Sequence, residues 1–218
     1  MTATVLSVDP SWSGLGWAVC TAAGPLACGA ASVSGRWRWE RLRAWLDELD
    51  AELVEHALSL QPADPPLRLV LEQIPWVYSG AKCPKCKGGP HRSSCTACRG
   101  SGRRGGNQAA TAYGSGLVSG GLLLHCTGPQ WGYPWEVQVR VWRGWWGIRG
   151  KREACKLQAI RTVTGLWPTA LAGFSETDRR RAEGKAAGAA EAILLGVGAA
   201  RHIQDAPTGP KRKTRMKL

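Results

Sequence analysis

The apolar run from Leu69 to Ile74 contains a carboxylate, Glu72. Such a run is typical of a strand that enters a hydrophobic core, where an isolated carboxylate is costly unless positive charge meets it. A second acid, Asp9, ends another apolar run, which begins at Val5. Two carboxylates at the ends of core strands predict a cation between them. If the two strands are neighbours in the sheet, Asp9 and Glu72 can converge at one rim.

The remaining pattern predicts an α/β fold. Residues 4–35 indicate a strand, a turn and one or two further strands. Helices are predicted at 37–60, 108–126, 151–164 and 180–202, and a further strand at 136–142. Strands followed by alternating strand and helix indicate a mixed sheet flanked by helices.

The charge of the chain predicts a polyanionic partner. The net charge is +13, and nucleic acid is the simplest match. Basic composition for solubility alone is the alternative, but seven Lys or Arg and no acid fall within 79–106, and five fall within 207–218. Without an apolar stretch of membrane length or a secretory segment after Met1, we expect a cytoplasmic protein with no membrane contact.

The predicted final helix offers a third acid. Glu191 is followed by the apolar stretch Ala192–Leu195, which should dock on the sheet, and Glu183, Ala187 and Glu191 are spaced by four. Phosphodiester hydrolysis can use such a cluster, because carboxylates hold divalent ions that activate water and stabilise the leaving oxygen. A turn role for Asp9 and pairing of Glu72 with an arginine are the alternatives.

Three motifs together resemble RuvC-type Holliday junction resolvases. They are Val8-Asp9-Pro10-Ser11 with the glycine-containing hairpin that follows, Leu71-Glu72-Gln73, and Lys185–Leu195, which is similar to phage-type members. The resemblance covers most of the chain outside 79–106 and the tail. It implies an RNase H-like fold, catalysis by Asp9, Glu72 and Glu191 with two Mg²⁺ or Mn²⁺ ions, a homodimer that cleaves branched DNA, and a bacterial or phage source.

The chain departs from this family in the last helix. The family usually has a second acid there, which should fall at Ala187 or Gly188, and the phage-type spacing points to Ala187. The chain is then an inactivated variant, or uses Glu183 instead, or needs only Asp9, Glu72 and Glu191. The first interpretation predicts that Ala187→Asp raises Mg²⁺-dependent cleavage by orders of magnitude.

Two C-x-x-C pairs separated by eight residues predict a structural zinc site. The expected ligands are Cys83, Cys86, Cys95 and Cys98. Disulfides and redox-active pairs are the alternatives. Because the segment 79–106 is almost devoid of large apolar side chains, we expect it to order around the metal.

These patterns predict a nuclease domain formed by 1–78 and 107–204, an inserted zinc module at 79–106 and a basic, disordered tail at 205–218. The segment Trp142–Arg152 interleaves aromatic and basic residues, either to stack on unpaired bases or as core tryptophans beside a basic turn. The cations expected to contact DNA are Lys82, Lys85, Lys87, Arg92, Arg99, Arg103, Arg104, Arg149, Lys151 and Arg152.

The predicted function is metal-dependent cleavage of four-way or otherwise branched DNA by attack of metal-bound water. A non-catalytic DNA-binding protein on the same fold is the first alternative, which the missing acid at Ala187 keeps open. An RNA-guided nuclease relative is the second, because compact guided nucleases also place a zinc ribbon between the second and third acids.

Overall fold

The computed structural model describes residues 3–10, 14–32, 39–55, 67–73, 85–87, 94–96, 106–127, 131–182 and 184–205. Its strands are β1 (Val5–Pro10), β2 (Gly14–Cys20), β3 (Pro25–Ser32), β4 (Arg68–Gln73) and β5 (Trp135–Gln138). Its helices are α1 (Trp39–Glu55), α2 (Gly106–His125), α3 (Val139–Trp145), α4 (Arg152–Leu166), α5 (Glu176–Arg180) and α6 (Lys185–Asp205).

The five strands form one mixed sheet in the order β3-β2-β1-β4-β5. The first three strands form an antiparallel meander, whereas β4 and β5 run parallel to β1. This arrangement is the predicted sheet flanked by helices, and it places the carboxyl ends of β1, β4 and β5 at one edge of the sheet.

Alternating side chains of β1 divide the core into two layers, as the period of a strand requires. Leu6 and Val8 face a layer that includes side chains from α1 and α2. Val5 faces the opposite layer, which is built mainly from α6 and α4. The sheet is therefore buried on both faces, and the acid at the end of β1 lies on the α6 side.

The predicted strand at 136–142 is wrong after Gln138, because residues 139–145 form the helix α3. The alternation of Val137, Val139 and Val141 fits a strand, but Val141 is exposed and Trp142 is completely buried. A helical turn achieves this by directing Trp142 into the core. The final helix also begins later than predicted, at Lys185, after the short helix α5.

No helix within the described ranges is long and apolar enough to cross a membrane.

Candidate active site at the carboxyl ends of β1 and β4

Parallel pairing of β1 with β4 brings the first two acids together. Val8 lies opposite Leu71 in the register, so the next residues along the two strands, Asp9 and Glu72, occupy neighbouring positions. Both point toward α6, since they share faces with Val5 and Val70 of that core layer. The prediction that these carboxylates meet at one rim is confirmed at the level of strand pairing.

The helix α6 supplies the third acid by a very close approach to the sheet. A Cβ atom on Gly16, the partner of Asp9 in β2, would lie 2.0 Å from the backbone carbon of Gly188. The hydroxyl of Ser7 donates a 2.7 Å hydrogen bond to the carbonyl of Ala192 on the same helix. These contacts fix both the height and the rotation of α6, and they direct Glu191 toward Asp9.

Two consecutive residues of α3 each hold one of these acids. The indole N–H of Trp142 donates a 2.9 Å hydrogen bond to Oε2 of Glu72. The guanidinium of Arg143 donates a 2.7 Å hydrogen bond to Oε1 of Glu191. The Nζ of Lys156 on α4 lies 3.7 Å from the other Glu191 oxygen. Pairing with an arginine, expected as an alternative for Glu72, therefore occurs at Glu191.

Burial and mutual repulsion perturb the titration of these acids. Burial, followed by the negative charge of Glu72, raises the pKa of Asp9 well above its usual value. A hydrogen bond from the protonated Asp9 carboxyl to Glu191 acts in the same direction. Burial and the charge of Glu191 raise the pKa of Glu72 to about 7, although the Trp142 N–H, Arg143 and Lys156 lower it.

The cations respond to the same cluster. Burial alone would lower the pKa of Arg143, but the adjoining charge of Glu191 raises it above its usual value. The Nε atom of Arg143 is buried and has no hydrogen-bond partner in the described part of the chain. The site thus combines three interacting carboxyl groups, here named the acid cluster (Asp9, Glu72 and Glu191), with two partly buried cations.

The acid cluster offers the right kind of ligand for Mg²⁺ or Mn²⁺, since all its donor atoms are carboxyl oxygens. A divalent ion would also relieve the repulsion that raises the pKa values of Asp9 and Glu72. Within the described ranges, however, no three His, Cys, Asp or Glu side chains are already grouped around a point where an ion could sit. The chemistry of the ligands fits, and the side chains would have to rearrange.

Ala187, the position where the resemblance places a fourth acid, lies in the protein interior. Ala187 is one turn before Glu191 on α6 and is completely buried. Its methyl group packs in the core layer between the sheet and α6. Glu183 lies outside the described residues, and α6 begins only at Lys185.

Little of the predicted zinc module falls within the described residues. Cys86 and Cys95 are both half-buried. Cys83 and Cys98 lie outside the described ranges, as do five predicted DNA contacts: Lys82, Arg92, Arg99, Arg103 and Arg104. Lys85 and Lys87 are exposed in a short turn. Arg149 and Lys151 are exposed between α3 and α4, and Arg152 is exposed at the start of α4.

The three tryptophans that follow β5 are packed inside the protein, as the core alternative expected. Trp142 is completely buried, and the indole N–H of Trp146 donates a 2.8 Å hydrogen bond to the carbonyl of Leu194. The ring of Trp145 lies 4.5 Å from that of His202. These side chains hold α3 against α6, and Trp145 and Trp146 are half-buried.

The structure is similar to solved RuvC structures. Thermus thermophilus RuvC in complex with a Holliday junction substrate aligns over 93% of this chain and 95% of that chain, with a TM-score of 0.53 and 12% sequence identity. A second Thermus thermophilus RuvC structure aligns over 92% of this chain and 95% of that chain, with a TM-score of 0.47 and 13% identity. No family model matches the sequence. No curated protein matches it either.

At this identity, the likeness to the first of these structures establishes the fold alone. The protein has the RuvC-type, RNase H-like α/β fold that the three sequence motifs implied.

Three residues hold the acids in ways that were not predicted from the sequence: Trp142, Arg143 and Lys156. A signal for two of them was present, because a buried carboxylate needs a donor and a dense run of donors and aromatics begins at Trp142. The prediction of a strand through Trp142 concealed it. For Lys156, a single lysine on an otherwise ordinary helix, the sequence carries no such signal.

Proposed function

We propose that the protein is a metal-dependent endonuclease that cleaves four-way or otherwise branched DNA. The observation that carries this proposal is the meeting of Asp9, Glu72 and Glu191, from three separate elements, at one edge of the sheet. Burying mutually repelling carboxyl groups costs stability, which is typical of functional sites. The Holliday junction bound by the structurally similar RuvC supports branched DNA as the substrate. A homodimer as the active form is proposed from the sequence resemblance alone.

Within this proposal the acid cluster holds two Mg²⁺ or Mn²⁺ ions. Such ions, when bound, activate a water molecule for attack on phosphorus and stabilise the leaving oxygen. Trp142 orients Glu72 through its indole N–H, and Arg143 orients Glu191. The partly exposed ammonium of Lys156 lies beside the acids, where it can meet a phosphate oxygen of the DNA.

We also propose that residues 79–106 form a zinc module that grips the DNA backbone. Support comes from Lys87, which directly follows Cys86 and has a φ of 48°, the left-handed conformation that a tight reversal uses. The charge of the module favours phosphate contact through the predicted lysines and arginines. Arg149 and Lys151 from the α3–α4 connection, and Arg152 from the start of α4, would add contacts close in sequence to Arg143 and Lys156.

The test is cleavage of a synthetic four-way junction in Mg²⁺ or Mn²⁺, with a linear duplex of the same sequence as the substrate control. We expect nicking near the branch point that EDTA abolishes and that Glu72→Gln and Asp9→Asn each reduce by orders of magnitude. Nicking that persists in these variants would refute the assignment of the acid cluster.

The position of Ala187 supplies the sharper comparison. Because Ala187 lies one turn from Glu191, we expect Ala187→Asp to raise the metal-dependent rate by orders of magnitude. The asparagine side chain in Ala187→Asn has nearly the same volume as aspartate but no charge. Ala187→Asn should therefore not raise the cleavage rate. Equal rates for the two variants would show that the added volume, and not a metal ligand, is responsible.

A non-catalytic junction-binding protein is the second candidate. It is favoured by the buried methyl group of Ala187 and by the pairing of Glu191 with two cations. This candidate predicts tight, selective binding of the four-way junction in a gel-shift assay, with no cleavage by the natural sequence or by Ala187→Asp.

A further inference from the structure

Both carboxylate oxygens of Glu191 already contact cations of the protein. Arg143 is 2.7 Å from Oε1, and Lys156 is 3.7 Å from Oε2. The Glu191 side chain is 3% exposed, so water does not supply an alternative partner. A divalent ion that binds Glu191 must therefore draw the carboxylate away from these cations or bind next to them.

We propose that Arg143 is a built-in competitor of the divalent ion at Glu191 and sets the metal affinity of the acid cluster. This inference rests on the proposed function and adds to it a positioning residue outside the three acids. Arg143 is the stronger of the two cations in this role, because its contact is the shorter one and has hydrogen-bond geometry.

The position of Arg143 makes the competition difficult to avoid. Its guanidinium lies 5.3 Å from the centre of the Trp142 ring, and Trp142 is itself completely buried and bonded to Glu72. The guanidinium also experiences the negative charge of both Glu191 and Glu72, and its Nε atom is buried. Coulomb repulsion between Arg143 and a divalent ion falls only slowly with distance in such a poorly solvated site.

The contact between Arg143 and Glu191 also stabilises the protein when no ion is bound. Three carboxyl groups at one rim repel one another, and two nearby cations offset part of that repulsion. The arrangement exchanges metal affinity for stability of the ion-free fold. Removing Arg143 should thus change the two properties in opposite directions.

The first measurement is Mn²⁺ affinity, by titration calorimetry or by electron paramagnetic resonance of free Mn²⁺. We expect Arg143→Gln to tighten Mn²⁺ binding at least about tenfold, equivalent to about 1.4 kcal/mol. Lys156→Gln should give a smaller gain. Arg140→Gln is the matched control, because Arg140 lies on the same helix and carries the same charge but bonds Gln138. It should leave the affinity nearly unchanged.

The second measurement is the melting temperature with EDTA and with saturating Mn²⁺. In EDTA we expect Arg143→Gln to melt lower than the natural sequence, since Glu191 loses its main partner. Mn²⁺ should then raise its melting temperature by more than it raises that of the natural sequence. A merely structural role for Arg143 predicts the same deficit in both conditions.

The outcomes separate this inference from the proposed function. Mn²⁺ binding with equal affinity in the natural sequence and in Arg143→Gln would overturn the inference alone. The lack of Mn²⁺ binding in both proteins would overturn the metal site as well. Arg143→Lys is the second variant, for use if Arg143→Gln does not fold. It keeps the positive charge but has a shorter side chain that reaches Glu191 less well. Unchanged Mn²⁺ affinity in Arg143→Lys would also count against the inference.

Discussion

The raised pKa of Glu72 makes the stability of the protein depend on pH in a predictable direction. An unfolded glutamate loses its proton near pH 4.5, whereas folded Glu72 does so near pH 7. Between these values the folded state binds more protons than the unfolded state. Stability contributed by protonated Glu72 is therefore fully present below about pH 4.5 and is lost as the pH rises through about 7.

Glu72→Gln should remove this dependence. At about 1.4 kcal/mol for each pH unit, the interval from 4.5 to about 7 corresponds to at most about 3.5 kcal/mol. The amide oxygen can still accept the N–H of Trp142. We therefore expect the variant to match the natural sequence at low pH and to be more stable above neutral pH, by up to that amount.

The assay is urea unfolding in EDTA, followed by tryptophan fluorescence, at a series of pH values from about 4 to about 8. Glu136→Gln is the control, because Glu136 is an exposed glutamate on the adjacent strand β5. If the stability of the natural sequence and of Glu72→Gln changed in parallel with pH across this range, the reasoning that burial and repulsion raise the pKa of Glu72 would be refuted.

Two further predictions concern packing and zinc. Gly16→Ala should destabilise the protein by about 3 kcal/mol or more, because its Cβ would collide with the backbone of Gly188. Gly120→Ala has open space around it and should change urea stability by no more than about 1 kcal/mol. Purified protein should contain zinc by elemental analysis; Cys86→Ser should lose it and Cys28→Ser should retain it. Equal zinc in both variants would contradict the cysteine assignment.

The fold class could be predicted from the sequence because its strongest signals were local. Apolar runs that end in Asp9 and Glu72 indicated the two core strands, and the apolar face after Glu191 indicated the helix that docks on them. These inferences needed only residue order and burial.

The partners of the acids could not be predicted in the same way, because they depend on tertiary packing. Val137, Val139 and Val141 alternate as in a strand, yet the burial of Trp142 turns residues 139–145 into a helix. That turn brings Arg143 to Glu191, which is distant in sequence. Lys156 reaches the same acid because α4 packs on α6. Neither the Arg143 contact nor the Lys156 contact with Glu191 can be predicted from local propensity.

The cations around Glu191 also explain why a neutral side chain at position 187 suits the ion-free protein. An acid at position 187 would add negative charge to a layer in which Asp9 and Glu72 already have raised pKa values. Arg143 and Lys156 are already engaged by Glu191, so little positive charge remains nearby to offset it. Ala187→Asp should consequently lose stability in EDTA and regain it in Mn²⁺, whereas Ala187→Asn should show no such recovery. Melting curves in the two conditions would distinguish a completed metal site from a buried charge that only disrupts the core.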